Sequence, residues 1–96
     1  MGMGEYSEFL DLAQQFQNVT LDTTMAFTDF VEESMPFPPA ERPRLADLGD
    51  KVLLGTDFPN IPYPYAEQLD ALARLEMGND WLRAVLHGNA ARLFDL

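Results

Sequence analysis

Residues 51–59 read KVLLGTDFP, and this stretch decides the fold class. Val52, Leu53 and Leu54 form an unbroken apolar run, the pattern of a strand covered on both faces. Side chains alternate along a strand, so Leu53, Gly55 and Asp57 share one face and Val52, Leu54 and Thr56 the other. Pro59 ends the strand, because it has no N–H to give to a ladder. Upstream, residues 18–24 read NVTLDTT. Val19 and Leu21 alternate with Thr20 and Asp22, which predicts a second short strand ending in the polar cluster Asp22-Thr23-Thr24. Between the two strands, residues 25–34 (MAFTDFVEES) predict a helical turn or short helix. Residues 35–43 (MPFPPAERP) carry four prolines and predict a stiff loop. Arg44 to Leu48 can form one or two helical turns, ended by Gly49. A strand–helix–strand order predicts a parallel pair joined by a crossover.

The flanks are helical. Tyr6, Phe9, Leu10, Ala13 and Phe16 recur at helical spacing and predict one inward face, with Glu5, Glu8 and Asp11 favourably placed near the helix start. After the loop NIPYP (60–64), Pro64 suits a first helical turn, and Tyr65, Leu69, Leu72 and Ala73 form the next apolar stripe. Gly78 is the expected terminator. Asn79 or Asp80 caps a helix carrying Trp81, Leu82, Val85 and Leu86. Gly88 is expected to end it, with Asn89 capping a last helix whose Ala90, Leu93 and Phe94 face inward.

Composition narrows the function classes. With 96 residues the chain makes a single domain, 1–96, and its 47% hydrophobic content argues against disorder. It has no cysteine, which excludes disulfides, thiolate metal sites and a thiol nucleophile, and fits a cytoplasmic protein. One histidine, His87, cannot build a histidine zinc site. The net charge is −10. Residues 1–41 hold eight acids and no Lys or Arg, and residues 42–96 hold eight acids and all six bases. Such a surface has no pull on nucleic acid or anionic membrane, so neither is expected as a partner. No apolar stretch approaches the length of a membrane span. The start, MGMGEYSEF, lacks the basic and apolar regions of a signal peptide.

Two motifs carry a resemblance. GTDFP at Gly55–Pro59 and GNAARLF at Gly88–Phe94, separated by a helical segment, resemble the C-terminal end of the amidohydrolase-related family of metal-dependent hydrolases. NVTLDTT resembles the strand before it. The resemblance implies the C-terminal portion of a (β/α)8 TIM barrel, here two parallel strands with about four to five helices. A whole barrel takes about 250 residues, so the chain matches roughly its last quarter to third. It also implies a role for Asp57 as a catalytic and metal-ligating aspartate at the barrel mouth, binding a divalent metal (zinc foremost) or deprotonating the attacking water in a complete enzyme. The substrate would be a small molecule with an amide, ester or lactone carbonyl, or one decarboxylated at the same site. The family's His-x-His pair and further histidines have no counterpart here, and His87 does not match a ligand position. No bound metal and no hydrolase activity are therefore expected of the chain alone.

Taken without the resemblance, these residues have plainer readings. Asp57 is a turn aspartate before Phe58-Pro59. Asp22, Thr23 and Thr24 are a hydrogen-bonded cluster, or a second polar group at the mouth that meets Asp57 if the strands are parallel neighbours. His87 sits in the last turn of a helix, where the dipole favours a cation. Trp81, Tyr63 and Tyr65 read as core and loop packing before they read as a substrate platform. Two strands alone leave edges and apolar surface open, so the expected partner is a second copy, making a homo-oligomer, or a complementary barrel fragment. The alternative function is then a non-catalytic α/β module that self-associates.

Overall fold

The computed structural model describes residues 1–94. The strands are short and parallel, β1 (Leu21–Asp22) and β2 (Val52–Leu53), with Leu21 opposite Val52 and Asp22 opposite Leu53. The crossover between them holds α2 (Asp29–Glu32), a 3-10 turn (Pro39–Glu41) and α3 (Arg42–Asp47). The helix α1 (Tyr6–Gln15) precedes β1, and α4 (Tyr65–Arg74), α5 (Asn79–Arg83) and α6 (Asn89–Leu93) follow β2. A π turn, Ala84–Gly88, joins α5 to α6. The α/β class and the parallel pair agree with the sequence reading. The Cα radius of gyration is 12.6 Å. A compact chain of this length has about 12.5 Å.

The core lies on one face of the strand pair. Leu21 and Val52 are buried there against Leu10 and Ala13 of α1, Leu45 of α3, Leu72 of α4 and Val85 of the π turn. The opposite face carries Asp22, which is exposed, and Leu53, which is half-buried. The expectation that Val52–Leu54 is covered on both faces therefore fails: helices cover the side that Val52 faces, and Leu53, on the other side, is half-buried.

Several apolar residues expected inside are outside. At 100° per residue, Tyr6, Leu10 and Ala13 fall within about 60° of one another. These three are buried, whereas Phe9 and Phe16 lie in the adjacent arc and are exposed. On α4 the buried set is Gln68, Ala71 and Leu72, with Tyr65 and Ala73 exposed. Leu93 and Phe94 are also exposed. Helix ends differ too. It is Glu76, at φ 55°, that turns left-handed behind α4, and Gly78, at φ 97°, precedes α5. Gly88 keeps helical angles, so the helix runs on to Leu93.

That continuity has a cause in the strand. Carbonyls of Lys51 and Leu53 accept the N–H groups of Leu21 and Thr23, so the even-numbered groups of β2 point the other way. There the Leu54 N–H donates to the Val85 carbonyl (3.0 Å), inside the π turn. The Asn89 side-chain amide donates to the carbonyls of Val52 (2.7 Å) and Gly49 (2.6 Å). Asn89 is thus a buried clamp on β2, not the helix cap expected from its position after Gly88. At the other side, the Lys51 ammonium donates to the carbonyls of Ala13 (2.6 Å) and Phe16 (2.7 Å), closing the C-terminal end of α1.

Candidate functional site

The parallel strands bring two polar segments to the same end of the sheet. Asp22-Thr23-Thr24 leaves β1, and Gly55-Thr56-Asp57 leaves β2. The Thr23 N–H donates to the Leu53 carbonyl (2.9 Å), the last rung of the ladder. The Gly55 N–H then donates to the Thr23 hydroxyl oxygen (3.1 Å), which extends the pairing one step through a side chain. Thr23 is fully buried by this contact. Asp22 turns over the top: its carboxylate accepts the Thr24 N–H (2.6 Å) and the Thr24 hydroxyl. A Cβ at residue 55 would overlap both the Asp22 carboxylate and the Thr24 hydroxyl, which is why glycine stands there. Asp22 therefore meets the β2 end at Gly55, and its carboxylate is committed to Thr24.

Asp57 lies just beyond. It is exposed and left-handed, at φ 56°, and its carbonyl accepts the Asn60 N–H (2.7 Å). Asp is among the few non-glycine residues that enter this region readily. Among the described residues its carboxylate holds no hydrogen bond or ion pair. The group is thus free to face a substrate or solvent. Its placement matches the general position of barrel chemistry, at the C-terminal ends of strands.

Aromatic rings surround this end. Phe58 stands edge-to-face with Tyr65, centroids 5.7 Å apart, and both are exposed. Phe30, from α2, tilts against Tyr63 at 6.3 Å. Burial pushes the Tyr63 phenol up, the nearby negative charges of Glu67 and Asp57 add to it, and a hydrogen bond with Thr28 opposes. Tyr63 and Tyr65 are thus beside the strand ends, while Trp81 is not. Trp81 is buried, donates to the Leu45 carbonyl (3.1 Å), and packs where a Cβ at Gly49 would intrude. It is core. His87 is exposed on the π turn, in a cleft with Asn79, Leu82, Arg83 and Leu86.

Gln68 escaped the sequence reading. It is fully buried, accepts the Met25 N–H (3.0 Å) and donates to the Ala26 carbonyl (3.1 Å). It pins the loop leaving β1 onto α4. Its signal was its spacing, an amide three and four residues before Ala71 and Leu72 on the same stripe.

Among the described residues no group of three or more His, Cys, Asp or Glu side chains could hold a metal ion. One free carboxylate is not a donor set for a catalytic metal, which takes about three protein ligands. The residues present do not by themselves fit a resident metal.

A family model described as amidohydrolase matches residues 1–96. The chain belongs to the amidohydrolase family. Amidohydrolases are generally metal-dependent enzymes built on TIM barrels, and the helix–strand–helix–strand–helix order here fits part of such a barrel. No curated protein and no solved structure matches the chain. Among the described residues no helix is long and apolar enough to cross a membrane.

Proposed function

We propose that this amidohydrolase chain is the C-terminal part of a hydrolase, with Asp57 as the carboxylate it contributes to the chemistry. The observation that carries the reading is the placement of Asp57: beyond the C-terminal end of a parallel strand, exposed and unpaired, in a family member. Its carboxylate would accept a proton from water as the water oxygen adds to an amide, ester or lactone carbonyl, or would serve a decarboxylation at the same place. Ligation of a divalent metal, zinc foremost, would need donors from outside these residues. The reading makes the chain inactive alone and leaves it dependent on a complementary barrel segment. The absence of cysteine supports a cytoplasmic setting.

A non-catalytic module is the second reading. The far edge of β2 is already covered by Val85 and Asn89, so the chain closes part of its own sheet.

Native mass spectrometry in the presence of Zn²⁺ tests the first reading. The first reading expects no stoichiometric metal on the chain alone. Stoichiometric zinc that disappears in Asp57→Asn would show a site completed between copies and would overturn the need for a further segment. On either reading Asp57→Asn leaves folding intact, because Asn enters the left-handed region as readily as Asp.

A further inference from the structure

Asp57 sits in the connection 54–64 between β2 and α4. Pro59, Pro62 and Pro64 leave this connection short of backbone donors. Two of its hydrogen bonds are internal: the Asn60 N–H donates to the Asp57 carbonyl (2.7 Å), and the Phe58 N–H donates to the Thr56 hydroxyl oxygen (3.3 Å). Beyond Gly55, the side chain that hydrogen-bonds to another element, among the described residues, is Tyr63. Its hydroxyl donates to the Gln68 side-chain oxygen (3.5 Å), and its ring tilts against Phe30 of α2. Gln68 is itself fixed. It is fully buried and holds the Met25 N–H and the Ala26 carbonyl, in the turn that leaves β1. In that turn the Thr28 hydroxyl donates to the Met25 carbonyl (2.7 Å). A line of contacts thus runs from the loop of Asp57 through Tyr63 and Gln68 to the end of β1.

We propose that Tyr63 is the positioning residue of the Asp57 site: its hydroxyl, held by Gln68, sets the Asp57 loop against the turn that leaves β1. The inference rests on the reading of Asp57 as the chemical carboxylate. An exposed aspartate on a loop needs such a tie, because misplacing a reacting group by about 1 Å can cost about a hundredfold in rate. Burial keeps the Tyr63 phenol protonated, and the charges of Glu67 and Asp57 add to this, so the hydroxyl remains a donor for Gln68. Ring packing alone is the plainer role. It makes the hydroxyl dispensable, since phenylalanine keeps the contact with Phe30 and Gln68 keeps its two backbone partners.

Nuclear magnetic resonance on the full chain tests it, with circular dichroism to confirm that each variant folds. In Tyr63→Phe the Asn60 amide exchanges about three- to tenfold faster, the loss of one hydrogen bond, while the Leu21 and Thr23 amides of the ladder keep their protection. In Asp57→Asn the Tyr63 ring titrates about 0.2–0.5 pH unit lower at about 0.1 M salt, and in Asp80→Asn it does not move. An Asn60 amide that Tyr63→Phe leaves unchanged overturns the proposal. So does exchange that rises equally at Leu21 and Thr23, which marks a merely structural tyrosine, or a Tyr63 titration indifferent to Asp57→Asn. None of these readouts needs turnover, so an Asp57 without chemistry is detected separately, as full activity of its asparagine variant in a complete enzyme.

Discussion

Replacing Asn89 by alanine removes the amide that holds β2 to the C-terminal helical stretch. Two acceptors lose their partner. The Val52 carbonyl is buried, and water cannot reach it without opening the core. Leaving such a group unsatisfied costs about 1–3 kcal/mol. The Gly49 carbonyl lies in a half-buried segment, so water replaces part of its bond and the loss is about 0.5–1.5 kcal/mol. The sum is about 1.5–4.5 kcal/mol. A domain of this size is stable by about 5–14 kcal/mol. With a urea m-value of about 1.5 kcal/mol/M, the midpoint falls by about 1–3 M. Asn89→Asp costs more at neutral pH, since a carboxylate then faces two carbonyl oxygens. Equilibrium urea unfolding followed by Trp81 fluorescence and circular dichroism measures both. An Asn89→Ala midpoint within about 0.3 M of the parent would refute the clamp.

Three further outcomes follow from named contacts. Gly55→Ala forces the new methyl into the Asp22 carboxylate and the Thr24 hydroxyl and costs about 1–3 kcal/mol; calorimetry showing an unchanged Tm would contradict the packing at the strand ends. Glu76→Gly relieves a left-handed conformation worth about 1–2 kcal/mol and returns part of it as unfolded-state entropy, for a net gain of about 0.5–1 kcal/mol; a lower Tm would show that the glutamate side chain matters there. Tyr6 is pushed up to about 12 by burial, with the charge of Glu32 adding to it. Its phenol stays protonated in the folded state while it ionises in the unfolded chain, so its contribution is whole below pH 10 and is lost as pH rises towards 12. Tyr6→Phe should therefore reduce the loss of stability over that range in alkaline unfolding curves, and an identical pH dependence would contradict the assignment.

What the sequence made legible was pattern governed by local rules. Alternation in NVTLDTT and the apolar run at Val52–Leu54 located both strands, and their parallel pairing followed from the strand–helix–strand order. Pro59 places the strand end too late, since β2 stops at Leu53 and Asp57 lies beyond it in a left-handed conformation, whereas GTDFP with GNAARLF pointed to the family the chain belongs to. What stayed hidden depended on tertiary partners. Phe9 and Phe16 have the same helical spacing as the buried Tyr6, Leu10 and Ala13, and periodicity cannot say which arc meets the core. Asn89 follows a glycine and resembles a cap. Only the approach of β2 turns its amide into a clamp, and only the Leu54 N–H explains the widened turn at Val85. Gln68 is polar, so apolar periodicity does not mark it, although the loop that it binds at Met25 and Ala26 leaves β1 beside the candidate site.

The central claim is that Asp57 is a chemical rather than a structural aspartate. Grafting residues 5–96 in place of the matching segment of a complete, active amidohydrolase tests it most directly, by comparing turnover of the graft with that of its Asp57→Asn variant. The account predicts an active graft and a variant that folds equally well but turns over about 10²–10⁴-fold more slowly, the usual contribution of a positioned proton acceptor. A variant as active as the graft would contradict it.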